Sequence, residues 1–333
     1  MPSLQALIKL VNFYARFTPS FTRIGYVARG LPLRPVRADF SGQTWLVTGA
    51  TGGLGRAAAL EAALRGARVL AIGRSREGLA HLANNAAGAK GAVISVVCDL
   101  SSMVDVAALA DRPELAGADI DVLVNNVGIL QRGFAATSEG FETSYALNLL
   151  GHFIFTERLY EAGRLACGAA IINVVSGGLY NAPLNTAMLD FAEPTFNGFA
   201  AYGSHKRAQL ALADHWRKAF SAGKVRTYAV HPGWADTAGV KTSLPKFRKV
   251  LAPVLRSPRQ GVDTLIWLAA GRPDETIDHV WFDRKPRTAH AYPHTRKPKA
   301  TVSDLLARLS RDREAVLSAA RIVPTPSAAG AAV

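Results

Sequence analysis

QTWLVTGATGGLG, residues 43–55, is the stretch from which the rest of this chain can be read. Trp45, Leu46 and Val47 form a short apolar run of the kind that parallel sheets bury on both faces. Gly49, Gly53 and Gly55 then remove side chains where the backbone must turn sharply and approach a ligand closely. A helix starting at such a bend presents unpaired N–H groups and the positive end of its dipole, which suits a diphosphate. Thr48, Gly49, Thr51, Gly53, Leu54 and Gly55 are therefore the first candidate binding residues. The spacing is TGxxxGxG rather than GxGxxG, and glycine bends also serve as plain strand-to-helix turns, so the downstream chain has to decide.

The 333 residues could fill one large α/β domain or two small ones, and 49% hydrophobic with 19% charged residues is a globular composition. The formal net charge of +14 points to an anionic partner: a phosphorylated cofactor, an acidic lipid surface or nucleic acid. Nucleic acid is not expected, because the basic residues are scattered between termini and loops without a binding module. Cys98 and Cys167 stand in apolar surroundings without metal-ligand spacing, so neither a disulfide framework nor a metal site is expected. No apolar run approaches the roughly 18 residues of a bilayer span. Lys9 and Arg16 interrupt the N-terminus where a signal peptide would be continuously apolar. The expectation is an intracellular, cytoplasmic protein.

Residues 1–40 precede the first strand. Leu4, Leu7, Ile8, Val11, Tyr14 and Ala15 recur at helical spacing with Lys9 and Arg16 interleaved. Such a basic amphipathic extension either lies peripherally on an anionic membrane, through residues 1–30, or packs on the body of the chain. From there strand and helix alternate, with strands over 45–47, 68–72, 92–98, 121–124, 170–175, 225–230 and 279–282. Helical patterns fall over 54–65, 77–87, 101–110, 141–166, 202–220, 260–270 and 303–320. The alternation predicts a doubly wound parallel α/β sheet with helices on both faces, in one domain over 41–320. The Pro/Ala/Gly-rich stretch 321–333 reads as a disordered tail. Residues 180–199, with Leu184, Met188, Leu189 and Phe191 read as exposed, and the basic segment 238–259 are expected to be substrate lids. Arg284 to Lys299 reads as a solvated basic loop.

Polar candidates collect at the strand ends. Gly73 and Arg74 stand where an acidic residue would bind a ribose 2′-hydroxyl; room and positive charge there suit a 2′-phosphate, so NADP(H) is favoured over NAD(H). Asp99 and Leu100 follow the third strand, where the carboxylate either meets an adenine amino group or caps the 101–110 helix. Asn126 and Gly128 end the fourth strand, Asn148 lies inside an apolar helical pattern, and Ser176 ends the fifth strand. Pro232 and Gly233 turn the chain after the sixth strand, leaving Thr237 near the nicotinamide end, with His231 packed at the turn. Tyr202 and Lys206 are four apart and share one helical face. That pair is commonplace on solvated helices; its place downstream of a strand-end serine and a nucleotide bend gives it force.

In order, TGATGGLG, Asp99-Leu100, NNVG, Asn148, Ser176, YGSHK and PGWADT resemble the short-chain dehydrogenase/reductase family, from Gln43 to about Phe282. SEGFETSYALNLLGHF, VVSGGLY, QGVDTLIWLA, DRKPRTAH and FTRIGYVARG resemble, more narrowly, its retinol-dehydrogenase-like branch that includes the member-twelve group. The resemblance implies a Rossmann-type fold and reversible hydride transfer between NADP(H) and a carbonyl or alcohol. It implies that Tyr202 exchanges the proton, that Lys206, with the positive nicotinamide of the oxidised cofactor, lowers the phenol pKa and reaches the cofactor ribose, and that Ser176 holds the substrate oxygen. Asn148 would hold a water joining Lys206 to solvent. Val127 in NNVG, Val175 before Ser176 and the long Ser176–Tyr202 interval depart from the common pattern and leave the pocket shape open. A non-catalytic NADP(H)-binding scaffold or redox sensor is the competing class, against which stand Asn148, Ser176, Tyr202 and Lys206 together. The apolar residues of 180–199, with Trp234 and Phe247, either line a pocket for a lipophilic aldehyde or ketone or pack on the body. The oligomeric state is open, a homodimer among the options.

Overall fold

The computed structural model describes residues 4–274 and 276–322, and side chains from residue 12 to residue 320. Eight strands form one sheet in the order β3-β2-β1-β4-β5-β6-β7-β8. They are β1 (Thr44–Thr48), β2 (Arg68–Gly73), β3 (Ala92–Val97), β4 (Ile120–Asn125), β5 (Leu165–Val174), β6 (Arg226–Val230), β7 (His279–Phe282) and β8 (Lys285–Thr288). All pairs are parallel except the hairpin β7–β8. The chain reverses its winding between β1 and β4, which opens the crevice where doubly wound sheets bind ligands.

Alternate residues of each strand feed opposite layers. Trp45, Val47, Val69, Ala71, Val122 and Val124 pack under α3 (Gly53–Leu64), α4 (Arg76–Asn85) and α11 (Pro258–Gly271). Leu46, Leu70, Ile72, Leu123 and Ile171 pack under α5 (Met103–Ala108), α7 (Gly151–Glu161), α8 (Gly198–Ala219) and α12 (Val302–Ile322). The remaining helices are α1 (Leu4–Phe21), α2 (Arg23–Ala28), the single turn α6 (Thr143–Tyr145), and α9 (Ala238–Ser243) with α10 (Pro245–Leu251) in the basic segment. Sequence-local caps set several of these starts: Ser75 for α4, Asn197 for α8, and a Ser257/Gln260 capping box with Pro258 at the first turn of α11.

Three expectations are corrected. The helical pattern over 141–166 stops at Glu161, because Gly163 takes a φ of +62° and turns the chain, and Leu165 already opens β5. Leu184 and Leu189 are buried rather than exposed, packed in the layer that α8 and α12 complete. The 284–299 stretch is not simply a solvated loop, since Lys285–Thr288 pairs back on β7 through a two-residue turn, Asp283-Arg284, with both φ angles positive. Of the tail read as disordered, residues 323–333 lie outside the described residues.

The extension before β1 packs on the body over residues 13–33. Phe17 and Phe21 are buried against Tyr180, Val280 and Phe282. Below them Asp283 holds two arginines: Arg256 through both carboxylate oxygens at 2.6 and 3.0 Å, and Arg29 at 2.8 Å. Arg256 also donates to the carbonyls of Ser20 and Phe21, tying α1 to the segment after α10. The side chains of Leu4, Leu7, Ile8 and Val11, on which the membrane reading rests, lie outside the described residues. Removing one partner of a buried pair strands the other charge. Asp283→Ala should therefore lower the unfolding free energy by about 3–5 kcal/mol in urea titration, and an unchanged midpoint would refute the clamp.

Candidate functional site

The site is built at the carboxyl edge of the sheet, beginning with the tie between β1 and β4. Thr48 Oγ1 donates to the Val124 carbonyl at 3.1 Å and accepts from the N–H groups of Asn126 (2.9 Å) and Val127 (3.1 Å). Asn126 Nδ2 donates back to the Thr48 carbonyl at 2.8 Å. Beyond this tie the chain bends with φ +66° at Gly49 and +52° at Gly53. A Cβ on Gly55 would lie 2.3 Å from the Gly49 carbonyl oxygen, so only glycine lets the bend close on itself. Gly52 caps α3 without a side-chain acceptor, leaving the first-turn N–H groups without a side-chain partner. Thr237 stands over this bend, its Cβ 3.2 Å from where a Gly53 side chain would begin, and caps α9 through Val240 N–H. These features fit a dinucleotide diphosphate.

The other cofactor candidates divide. Thr51 packs against Gly73 and Gly78, at the start of α4. Arg74 is exposed just beyond β2, and its charge reaches Asp99. Burial works against ionising Asp99, but hydrogen bonds from Ser101 and the Arg74 charge outweigh it and hold the carboxyl below its usual range. Asp99 does not cap the following helix; Ser102 does, and Asp99 accepts from Ser101 N–H and Oγ–H instead. Leu54 turns its side chain into the α3–α11 contact at Gly261, and Leu100 belongs to the core. At Gly233, φ is +74° and a Cβ would lie 2.4 Å from Arg256, so this glycine also serves the Arg256 clamp beside Pro232.

Ser176, Tyr202 and Lys206 come together, with Lys206 reaching Gly128 beyond the β1–β4 tie. Ser176 caps the short turn Gly177–Asn181, and Gly178 leaves space for the Tyr202 ring, 3.2 Å from where its Cβ would be. Burial raises the Tyr202 pKa and a hydrogen bond with Ser176 draws it back. Lys206 Nζ lies 5.6 Å from the centroid of the same ring and donates to the Val174 carbonyl (2.8 Å) and Gln209 Oε1 (3.0 Å). Burial lowers the Lys206 pKa to about 7.

A π-helical turn, Ala146–Leu150, carries Asn148. Its amide accepts from Ile129 N–H (2.7 Å) and donates to the Ile129 carbonyl (2.8 Å), clamping the loop after Gly128. A Cβ on Gly128 would sit 3.2 Å from Lys206 Nζ, so the missing side chain keeps that approach open. The Asn148 carbonyl receives Gln209 Nε2, a contact the family pattern did not lead us to expect. Sequence reasoning missed Gln209, although it lies three residues after Lys206 on the same helical face.

Two apolar walls flank the edge. On one side Phe134, Phe191 and Phe196 form an aromatic group, while Leu189 and Asp190 are fixed from behind by His205 (2.6 Å) and by Arg308 of α12 (2.8 Å). On the other, Trp234 and Phe247 pack with Tyr14 of α1. His231 accepts from Gly233 N–H at 2.8 Å, packed at its turn as expected.

Burial holds His152, His205 and His231 neutral, with pKa values lowered to about 3, 4 and 3. Each binds its proton in the unfolded chain near 6.5 but not in the folded one, so stability is lost as pH falls below that value. The slope is up to about 1.4 kcal/mol per pH unit for each histidine. Asp214, raised to about 6 by burial, acts in the opposite sense. The melting temperature should accordingly drop between pH 7 and pH 5; a flat profile would show that these histidines titrate normally.

The model of the short chain dehydrogenase family matches residues 43–246. Human dehydrogenase/reductase SDR family member 12 is 30% identical over 297 residues, covering 86% of this chain and 91% of that protein. Human retinol dehydrogenase 12 is 29% identical over 292 residues, covering 86% and 90%. Among solved structures, the angucycline C-6 ketoreductase LanV with bound NADP superposes with a TM-score of 0.56 at 26% identity, covering 71% of this chain and 92% of that one. Among the described residues no group of His, Cys, Asp and Glu could hold a metal, and no helix is long and apolar enough to cross a membrane.

Proposed function

Because the chain belongs to the short-chain dehydrogenase family of oxidoreductases, we propose that it transfers hydride between NADP(H) and a lipophilic aldehyde, ketone or corresponding alcohol. The observation that carries this reading is Tyr202 packed on the turn that Ser176 caps, with Lys206 Nζ 5.6 Å from the centroid of the same ring and reaching Gly128 beyond the β1–β4 tie. The bound cofactor supplies or accepts the hydride. Ser176 donates a hydrogen bond to the substrate oxygen and stabilises the charge that develops there. Tyr202 passes its proton to that oxygen in reduction and takes it back in oxidation. Lys206, buried and without a counter-ion among the described residues, stabilises the phenolate left behind and holds the ribose side of the cofactor. Asn148 acts by fixing the loop through Gly128 and Ile129.

The aromatic walls around Phe196 and Trp234 support a lipophilic substrate. Segments 180–199 and 238–259 would form its sides, the inner part of the first being a fixed wall rather than a moving lid. Contact between an anionic membrane and that part of residues 1–30 which does not pack on the body would bring such a substrate to the site. Tyr202→Phe removes the proton donor and should lower kcat for NADPH-dependent reduction of medium-chain aldehydes by about 100-fold or more, with NADPH binding by fluorescence unchanged. Full activity in that variant would sink the catalytic reading.

Arg74, exposed just beyond β2, supports the 2′-phosphate preference, as does the NADP in the LanV structure, whereas the room expected at Gly73 is taken by Thr51, 2.7 Å from where a Cβ would lie. Arg74→Glu should weaken NADPH by about tenfold or more while sparing NADH. Equal loss for both cofactors in parallel titrations would remove Arg74 from that role.

A further inference from the structure

Gln209 lies one turn beyond Lys206 on α8 and is 1% exposed. Its carboxamide joins three groups that come from different elements. Oε1 accepts from Lys206 Nζ at 3.0 Å, while Nε2 donates to the Asn148 carbonyl and lies 2.8 Å from His152 Nδ1. With His152 neutral, one orientation of the amide satisfies all three. Reversed, it would set an NH2 group against an ammonium and an oxygen against a carbonyl oxygen.

The groups facing Lys206 Nζ can be named from every side. Tyr202 and His205 come from α8, His152 from α7, Asn148 from the π-helical turn by way of Gln209, and the Val174 carbonyl from the end of β5. None is a carboxylate, and among the described residues Lys206 forms no ion pair, its two acceptors both being neutral.

We propose that Gln209 is the positioning residue that holds Lys206 as an unneutralised charge beneath Tyr202. This rests on the catalytic reading of Tyr202 and Lys206 given above. A carboxylate in its place would grip the ammonium at least as firmly, but an adjacent anion would cancel the field that stabilises the phenolate. A bare apolar side chain would leave Nζ with one acceptor and drive its proton off. A neutral amide, anchored on its far side by two acceptors, fixes the position of Nζ and leaves its charge acting outward on Tyr202.

The deciding measurement is the NMR titration of Lys206 and Tyr202 in the full chain, with labelled lysine and tyrosine side chains. The resonances are identified by their loss in Lys206→Met and Tyr202→Phe. Gln209→Glu should raise the Lys206 midpoint by about one pH unit or more and raise that of Tyr202 with it, because the field is cancelled. Gln209→Leu should lower the Lys206 midpoint. A merely structural role would reduce the melting temperature of either variant while leaving both midpoints in place, and midpoints unmoved in either folded variant overturn the proposal. These readouts do not depend on turnover. Should Tyr202→Phe keep full reductase activity, the catalytic reading fails, whereas the titrations still decide whether Gln209 sets the state of Lys206.

Discussion

A buried lysine amine with no counter-ion among the described residues is the constraint on which the candidate site depends. Taking a cation out of water is costly, and proteins usually offset it with a carboxylate. Here Lys206 has the Val174 carbonyl and Gln209 Oε1 instead. Both acceptors must then be placed by the fold: the first by where β5 ends, the second by an amide that is itself held at Asn148 and His152. The π-helical turn brings the Asn148 carbonyl to Gln209, and the side chain of the same residue clamps Ile129. Gly128, next to that clamp, has no Cβ because one would sit 3.2 Å from Nζ. One buried charge thus sets the relative positions of β5, α7, α8 and the loop after β4.

The charges that fasten the extension before β1 follow the opposite rule. Asp283 and Arg256 have side chains 1% and 2% exposed and are fully paired, with Arg29 as a third member. Their role is mechanical: they fasten the extension before β1 to the β7–β8 turn and to the segment following α10. That fastening reaches the chemistry, because Phe21 lies over the turn that Ser176 begins. A Cβ on Gly177 would come within 3.3 Å of the Phe21 ring and 3.2 Å of His231. The surface behind Ser176 is therefore made by residues that precede the first strand, and the extension is part of the wall of the site.

Much of this architecture is legible in the chain because its signals are local. TGATGGLG announces a strand, a bend and a helix within a dozen or so residues, and each strand before β7 ends where its apolar run gives way to polar or small residues. What is illegible depends on distant partners. Leu184 and Leu189 look like the face of a lid until α12, more than a hundred residues later, is seen to cover them. The β7–β8 hairpin is hidden because its turn is Asp-Arg rather than the Asn-Gly that usually marks positive φ at both positions, and Arg284 is held there by Asp263. The helix over 141–166 overruns because apolar spacing continues through a single turning glycine. Gln209 stands at a readable spacing from Lys206, but its meaning comes from Asn148 and His152, which the fold brings to it.

The same burial acts on the two central groups in opposite directions. It raises the Tyr202 phenol and lowers the Lys206 ammonium, so it favours the neutral form of each. The proton accordingly belongs on the phenol, which is the form the proposed donor role requires. The reverse step requires a phenolate, which burial opposes. A further positive charge must arrive close by, as an oxidised nicotinamide would provide. On the proposed function, protonation state and cofactor state would thereby be linked, the phenol being retained when no such charge is present and the phenolate accessible when one is. An arrangement with a carboxylate beside Lys206 would lose this linkage, because the lysine would be neutralised whichever form of the cofactor was bound.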